Sequence, residues 1–138
     1  AKEQANANVE KEKAVQEVVA KIEKETGNPV VRTNSGLMYS IIKEGTGASP
    51  TPTQTVKVHY QGTLLNGNEF DSSYKRGEPI EFPLNQVIKG WTEGVGLMKA
   101  GGASYLIIPP DLAYGSRALP GIPANSTLVF KVELLEIK

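Results

Sequence analysis

Every one of the chain's 14 glycines and 9 prolines lies at or beyond Gly27, and the first 26 residues contain neither. Glycine and proline are the residues that interrupt regular structure, so their distribution divides the chain into two regimes. Residues 1–26 are rich in Ala, Glu, Lys, Gln and Val, most of them good helix formers. Glu17 and Lys21 have the favourable i,i+4 order, and Glu10 and Lys13 the i,i+3 spacing. Val15, Val18, Val19 and Ile22 recur at i, i+3, i+4 and i+7, one apolar stripe that fades upstream to Val9 and Ala5. Gly27 suits a left-handed helix terminus and Pro29 prevents continuation. The pattern predicts a helix from about residue 3 to 26, roughly 36 Å long. Four apolar residues are too few for a coiled coil. The stripe must therefore dock on the body, meet another chain, or continue a longer helix.

Beyond the boundary at Thr26–Asn34, short β-branched and aromatic runs are punctuated by Gly and Pro. Leu37–Ile42 reads as a strand. Thr55–Gln61 alternates Val56, Val58 and Tyr60 against Lys57, His59 and Gln61, which predicts a half-buried strand. Asn66–Gly67 signals a tight hairpin into Glu69–Phe70. Ile80–Leu84 reads as an edge strand, because Pro83 cannot donate to a ladder. Ala103–Ile108 and Thr127–Ile137 are the remaining strands. One short helix is expected at Trp91–Met98, with Trp91, Val95 and Met98 on one face. Many antiparallel strands with a single short helix place the body in the α+β class. The chain of 138 residues divides into a helix at 1–26 and a domain at 35–138; a core of this size needs no disulfide or metal to fold.

Much chemistry is excluded. Without cysteine there is no thiolate zinc site, iron–sulfur cluster, disulfide or catalytic thiol. One histidine cannot build a multi-histidine metal site. Fifteen basic and fifteen acidic residues balance, which argues against binding of nucleic acid through its phosphates. No apolar run approaches a membrane span, and no secretory leader stands at Ala1. The Gly-x-Ser-x-Gly elbow is absent. Gly94 and Gly96 fall within the predicted helix rather than after a strand, so they are no dinucleotide fingerprint. His59, outward on its strand and without triad partners, is read as structural. Any enzyme built from this chain works without a cofactor and without a general base.

Several segments together resemble the FKBP-type peptidyl-prolyl isomerases. They are Val58-His59-Tyr60-Gln61-Gly62-Thr63-Leu64, Phe70-Asp71-Ser72-Ser73-Tyr74, Val87-Ile88-Lys89-Gly90-Trp91, Leu112-Ala113-Tyr114-Gly115, Pro120-Gly121-Ile122-Pro123 and the closing Thr127–Leu135. Each is weak alone; in this order and spacing, over Ser35 to Lys138, they are specific. The lead-in Ser35-Gly36-Leu37-Met38-Tyr39 and the preceding helix resemble the bacterial macrophage infectivity potentiator type. The resemblance implies a curved antiparallel sheet of five or six strands wrapped on the short helix, with a pocket between them. Tyr60, Phe70, Val87, Ile88, Tyr114, Ile122 and Phe130 would form its walls and Trp91 its floor. Asp71 would stand at the edge near Tyr60 and Arg76. The Ile88 N–H and the Tyr114 hydroxyl would donate to a bound carbonyl, and Gln86 would offer its backbone carbonyl. Ile80 stands where many relatives carry an aromatic residue, and Leu119 where many carry a rim histidine.

The activity so implied is cis–trans isomerisation of X–Pro bonds, with proline-containing polypeptide clients as partners and tacrolimus or rapamycin as pocket ligands. The alternative is a chaperone or proline-motif binding module with little turnover. The resemblance also implies export to the periplasm or cell surface, with the cytoplasm as alternative. It further implies a homodimer formed through the N-terminal helix or an upstream module.

Overall fold

The computed structural model describes residues 2–65, 67–115, 117, 122 and 126–138, with side chains from Ala14 onward. Helix α1 runs Lys2–Thr26. It ends as its sequence requires: Gly27 turns left-handed at φ 72° and its N–H bonds the Glu23 carbonyl at 2.9 Å. The Asn66 half of the hairpin signal lies outside the described residues; Gly67 itself takes φ 90° and closes a turn onto the Leu64 carbonyl at 3.0 Å.

Among the described residues seven antiparallel strands follow: β1 (Val31–Arg32), β2 (Met38–Lys43), β3 (Thr55–Leu64), β4 (Glu69–Ser72), β5 (Ile80–Pro83), β6 (Ala103–Ile108) and β7 (Leu128–Ile137). Their order is β1-β2-β6-β7-β3-β4, and β5 shares with β4 the edge of β3 that β7 leaves open. The sheet expected from the sequence is present; its seventh strand, β1, has only two residues, too short for any pattern to announce. β3 alternates along its length as predicted, with Val56, Val58 and Tyr60 inward.

Strand alternation gives the sheet two working faces. On the inner face Leu106, Ile108, Leu128, Phe130 and Val132 join Val56, Val58, Trp91 and Val95 in the main core. On the outer face Ile107 and Val129 join Ile22 in a second cluster, with Val18, Val19, Met38 and Tyr105 packed around it. Of the three fates open to the helical stripe, docking on the body is the one its C-terminal half adopts. Polar bonds fix the angle: Tyr105 Oη donates to Glu25 Oε1 at 2.9 Å, and Asn28 Nδ2 to the Ile41 carbonyl at 2.6 Å. The Val30 N–H donates to Glu23 Oε2 at 2.9 Å. Burial and the bond to Glu25 push the Tyr105 phenol up to about 12.

The inner face is covered by helix α3, Lys89–Gly96. It starts two residues earlier than the pattern suggests and ends two earlier. Leu97 and Met98 continue in tighter turns, their N–H groups bonding Gly94 and Val95 carbonyls at 3.2 and 3.0 Å, so Met98 still reaches the core. The helix lies close because glycines face the sheet. A Cβ on Gly90 would stand 2.5 Å from Ile108, and one on Gly94 2.8 Å from Leu106. Gly96 faces open space. Gly90→Ala should therefore lower unfolding free energy by about 1–3 kcal/mol through overpacking. Gly96→Ala should be neutral or stabilising by up to about 1 kcal/mol through helix propensity. Urea denaturation of the two variants measures the contrast.

Candidate active site

Where α3 meets the curled sheet, a cavity of about 340 Å³ opens, lined by Tyr60, Phe70, Asp71, Ile80, Gln86, Val87, Ile88, Trp91, Tyr114 and Phe130. β3 supplies Tyr60, β4 supplies Phe70 and Asp71, β5 supplies Ile80 and β7 supplies Phe130. A 3₁₀ turn at Leu84–Gln86 leads into Val87, Ile88 and then Trp91 on the first turn of α3. A second 3₁₀ turn, Pro110–Leu112, presents Tyr114 at the mouth. Its return is held by the Gly115 N–H, which bonds the Pro110 carbonyl at 2.7 Å with Gly115 at φ 57°.

Trp91, only 5 % exposed, is the floor. Tyr60 and Phe130 meet it edge-on, with ring centroids 5.1 Å away in each case and planes at 83° and 88°. Phe70 stands edge-on to Phe130 at 5.5 Å. Such T-shaped contacts are the preferred geometry of aromatic quadrupoles and hold each ring in one orientation. Phe82, which the sequence reading did not single out, buttresses Trp91 at 5.4 Å. Gly62 was missed as well. A Cβ there would come within 2.7 Å of Phe70 and 2.8 Å of Phe130, so the strand has no side chain where the two rings meet. A glycine inside an alternating strand is the available signal for such an approach.

The polar groups are few. Asp71 accepts from the Tyr60 hydroxyl through Oδ2 and from Arg76 Nη1 through Oδ1, the latter at 2.5 Å; Arg76 Nη2 reaches Tyr60 Oη at 3.0 Å. Burial alone would raise the Asp71 pKa, but the bonds from Tyr60 and Arg76 and the guanidinium charge outweigh it, and the carboxyl lies below its ordinary value. Burial, then the bond to Asp71, raises the Tyr60 phenol. At neutral pH the cluster is one carboxylate, one neutral phenol and one guanidinium. The Ile88 N–H, just ahead of α3, has no partner among the described residues, and neither does the indole Nε1 of Trp91.

The structure thus gathers round one cavity every residue expected at the site except three. Ile122 is buried in the same apolar cluster as Tyr60, Trp91 and Phe130 but is not among the residues that line the cavity. Leu119 lies outside the described residues. Arg76 stands behind the rim, touching the site through Asp71 and Tyr60. His59 points away from the cavity and stacks on Tyr74 at 4.8 Å. Among the described residues no three His, Cys, Asp or Glu side chains converge as metal ligands would.

Residues 47–135 match the family model described as FKBP-type peptidyl-prolyl cis-trans isomerase. The chain belongs to that family. It is 51 % identical over 140 residues to the FKBP-type peptidyl-prolyl cis-trans isomerase FkpA of Escherichia coli, covering 99 % of this chain and 52 % of FkpA. It is 54 % identical over 130 residues to FkpA of Aeromonas hydrophila, covering 94 % of this chain and 48 % of that protein. The chain therefore spans about half the length of these relatives. The crystal structure of Escherichia coli FkpA superposes with a TM-score of 0.82 at 48 % identity, covering 99 % of this chain and 63 % of that one. A peptidyl-prolyl cis-trans isomerase from Pseudomonas syringae superposes at 0.74 with 33 % identity, covering 92 % of this chain and 95 % of that one. Both superpositions cover most of this chain, including the sheet and short helix.

A carboxyl whose folded pKa is depressed stabilises the fold above its unfolded pKa, and that stability is lost as pH falls through the folded value. Asp71 should hence stabilise the domain above about pH 4 and cease to do so in stronger acid. Asp71→Asn should show a shallower loss of Tm between about pH 5 and pH 2 than the parent chain; thermal melts across that range measure it.

Proposed function

We propose that this FKBP-type domain accelerates cis–trans isomerisation of X–Pro bonds in polypeptide clients. The observation that carries the reading is the cavity's composition: an aromatic floor and walls with, at one side, an Ile88 N–H that has no partner among the described residues. Rotation about X–Pro is opposed by about 18–20 kcal/mol of lost amide resonance. The twisted amide is less dipolar than the planar one, so a water-poor apolar cavity disfavours the ground state relative to it. A proline ring seated over Trp91, between Tyr60, Phe70 and Phe130, would leave the preceding carbonyl near the Ile88 N–H and the Tyr114 hydroxyl. Only contacts that strengthen as the bond twists raise the rate. Lowering the barrier by about 5.5–7 kcal/mol corresponds to roughly 10⁴–10⁵-fold acceleration.

No proton changes hands in this scheme. Asp71 acts by orienting the Tyr60 ring and polarising the cavity edge, and Arg76 keeps it ionised. Val87, Ile88 and Ile80 exclude water along one side, and Gln86 offers a backbone carbonyl to the client. Ile122 supports the walls from the core, and Leu119 is assigned to the rim. The same cavity would accept the macrolides tacrolimus and rapamycin. Support for a periplasmic or cell-surface setting comes from the resemblance to stalked bacterial relatives; among the described residues no helix is long and apolar enough to cross a membrane. The helix α1, or a module upstream of it, is where a homodimer would form.

A proline tetrapeptide assay tests the reading. The chain should accelerate isomerisation, with kcat/KM flat from about pH 6 to 9, because Asp71 titrates below that range and Tyr60 above it. Tyr114→Phe should lower kcat/KM about two- to tenfold, the value of one hydrogen bond of about 0.5–1.5 kcal/mol. No acceleration, combined with suppression of client aggregation that tacrolimus leaves intact, would replace the isomerase by a binding module.

A further inference from the structure

Strand β3 is paired with β7 along its whole length on one edge, but its other edge is interrupted. β5 pairs with it only as far as Val58, and β4 begins only at Gln61. His59 and Tyr60 therefore have no strand partner there. The chain between β4 and β5 instead folds into a single helical turn, α2, at Ser73–Arg76, capped by Ser72 Oγ accepting from the Lys75 N–H at 3.3 Å. The main-chain N–H and C=O of one residue in an antiparallel strand point to the same side, and those of Tyr60 face the gap.

Ser73 fills it. Its side chain is completely buried. Its Oγ accepts from the Tyr60 N–H at 2.7 Å, lies 3.3 Å from the Tyr60 carbonyl, and pairs with His59 Nδ1 at 2.8 Å. A hydroxyl can accept and donate at once, so one atom replaces a missing stretch of ladder. The same helical turn ends with Arg76, whose guanidinium grips Asp71 and the Tyr60 hydroxyl. Tyr60 is thus held at both ends by α2: its backbone by Ser73 and its ring oxygen by the Arg76–Asp71 pair.

We propose that Ser73 is a positioning residue for the reaction, setting the height of the Tyr60 ring and of the Asp71–Arg76 pair over the Trp91 floor. The proposal rests on the isomerase reading, and its failure is separable from that of the reading because wild-type turnover is measured first. Two substitutions test it. Ser73→Ala removes the hydrogen bonds, and Ser73→Cys keeps a side chain of similar size with a weak donor and acceptor. The measurements are kcat and KM on a proline tetrapeptide, the Asp71 carboxyl titration followed by carbon NMR, and thermal melts. Both variants should lose kcat, about five- to tenfold for Ala and less for Cys, with KM within twofold, and in both Asp71 should titrate at higher pH than in the parent. Should the Ala variant not fold, the Cys variant gives the same readout. A folded variant that keeps parental kcat and the parental Asp71 titration, whatever its Tm, overturns the proposal. So does a rate loss that only tracks the unfolded fraction.

Discussion

Helix α3 can rest against the sheet only because two of its residues present no side chain to it. Gly90 and Gly94 are one turn apart, and Ile108 and Leu106 occupy the space their Cβ atoms would need. This approach sets the depth of the site. Trp91, on the same first turn, is driven down among Tyr60, Phe82 and Phe130 rather than held above them, and Val95 seals the core behind it. The cavity is the remaining space between a helix that comes close at one end and a sheet that curls away at the other. Its walls are rigid because each ring is braced by another, and Gly62 removes the one side chain that would separate Phe70 from Phe130.

The electrostatics of the site are as economical as its shape. A half-exposed carboxylate beside an apolar cavity would ordinarily be a liability. Here both of its oxygens are engaged, one by a phenol on the neighbouring strand and one by a guanidinium on the turn that follows. The arrangement holds fixed dipoles at the rim without placing a titrating base against the cavity, which suits the isomerisation proposed above, in which a bond rotates and none is broken.

Where one physical rule dominated locally, the sequence was legible. The breaker-free first 26 residues, the Gly27 stop and the two-residue alternation of β3 each follow from a single steric or hydrophobic preference. The cavity residues were legible through the family resemblance and not through periodicity, since Tyr60, Phe70 and Phe130 read equally well as ordinary core. What stayed hidden depends on distances between segments far apart in the chain. Gly90 and Gly94 look like helix weaknesses until Ile108 and Leu106 are placed against them. Ser73 looks like a turn residue until the gap between β4 and β5 is seen. The resemblance put Ile122 in the cavity wall, whereas its side chain is buried in the core cluster without lining the cavity.

Neighbours in β7 serve different masters: Phe130 faces the cavity, while Val129 faces α1. The same parity runs through Leu106, Ile107 and Ile108 in β6, and through Met38 and Tyr39 in β2. Odd and even positions of these strands are thereby free to vary under separate demands, one set by the pocket and one by whatever the outer face carries. Substitution respects that partition, but a single-residue insertion or deletion does not. It would hand the residues fitted to each face to the other, so the lengths of these strands are far more constrained than their composition.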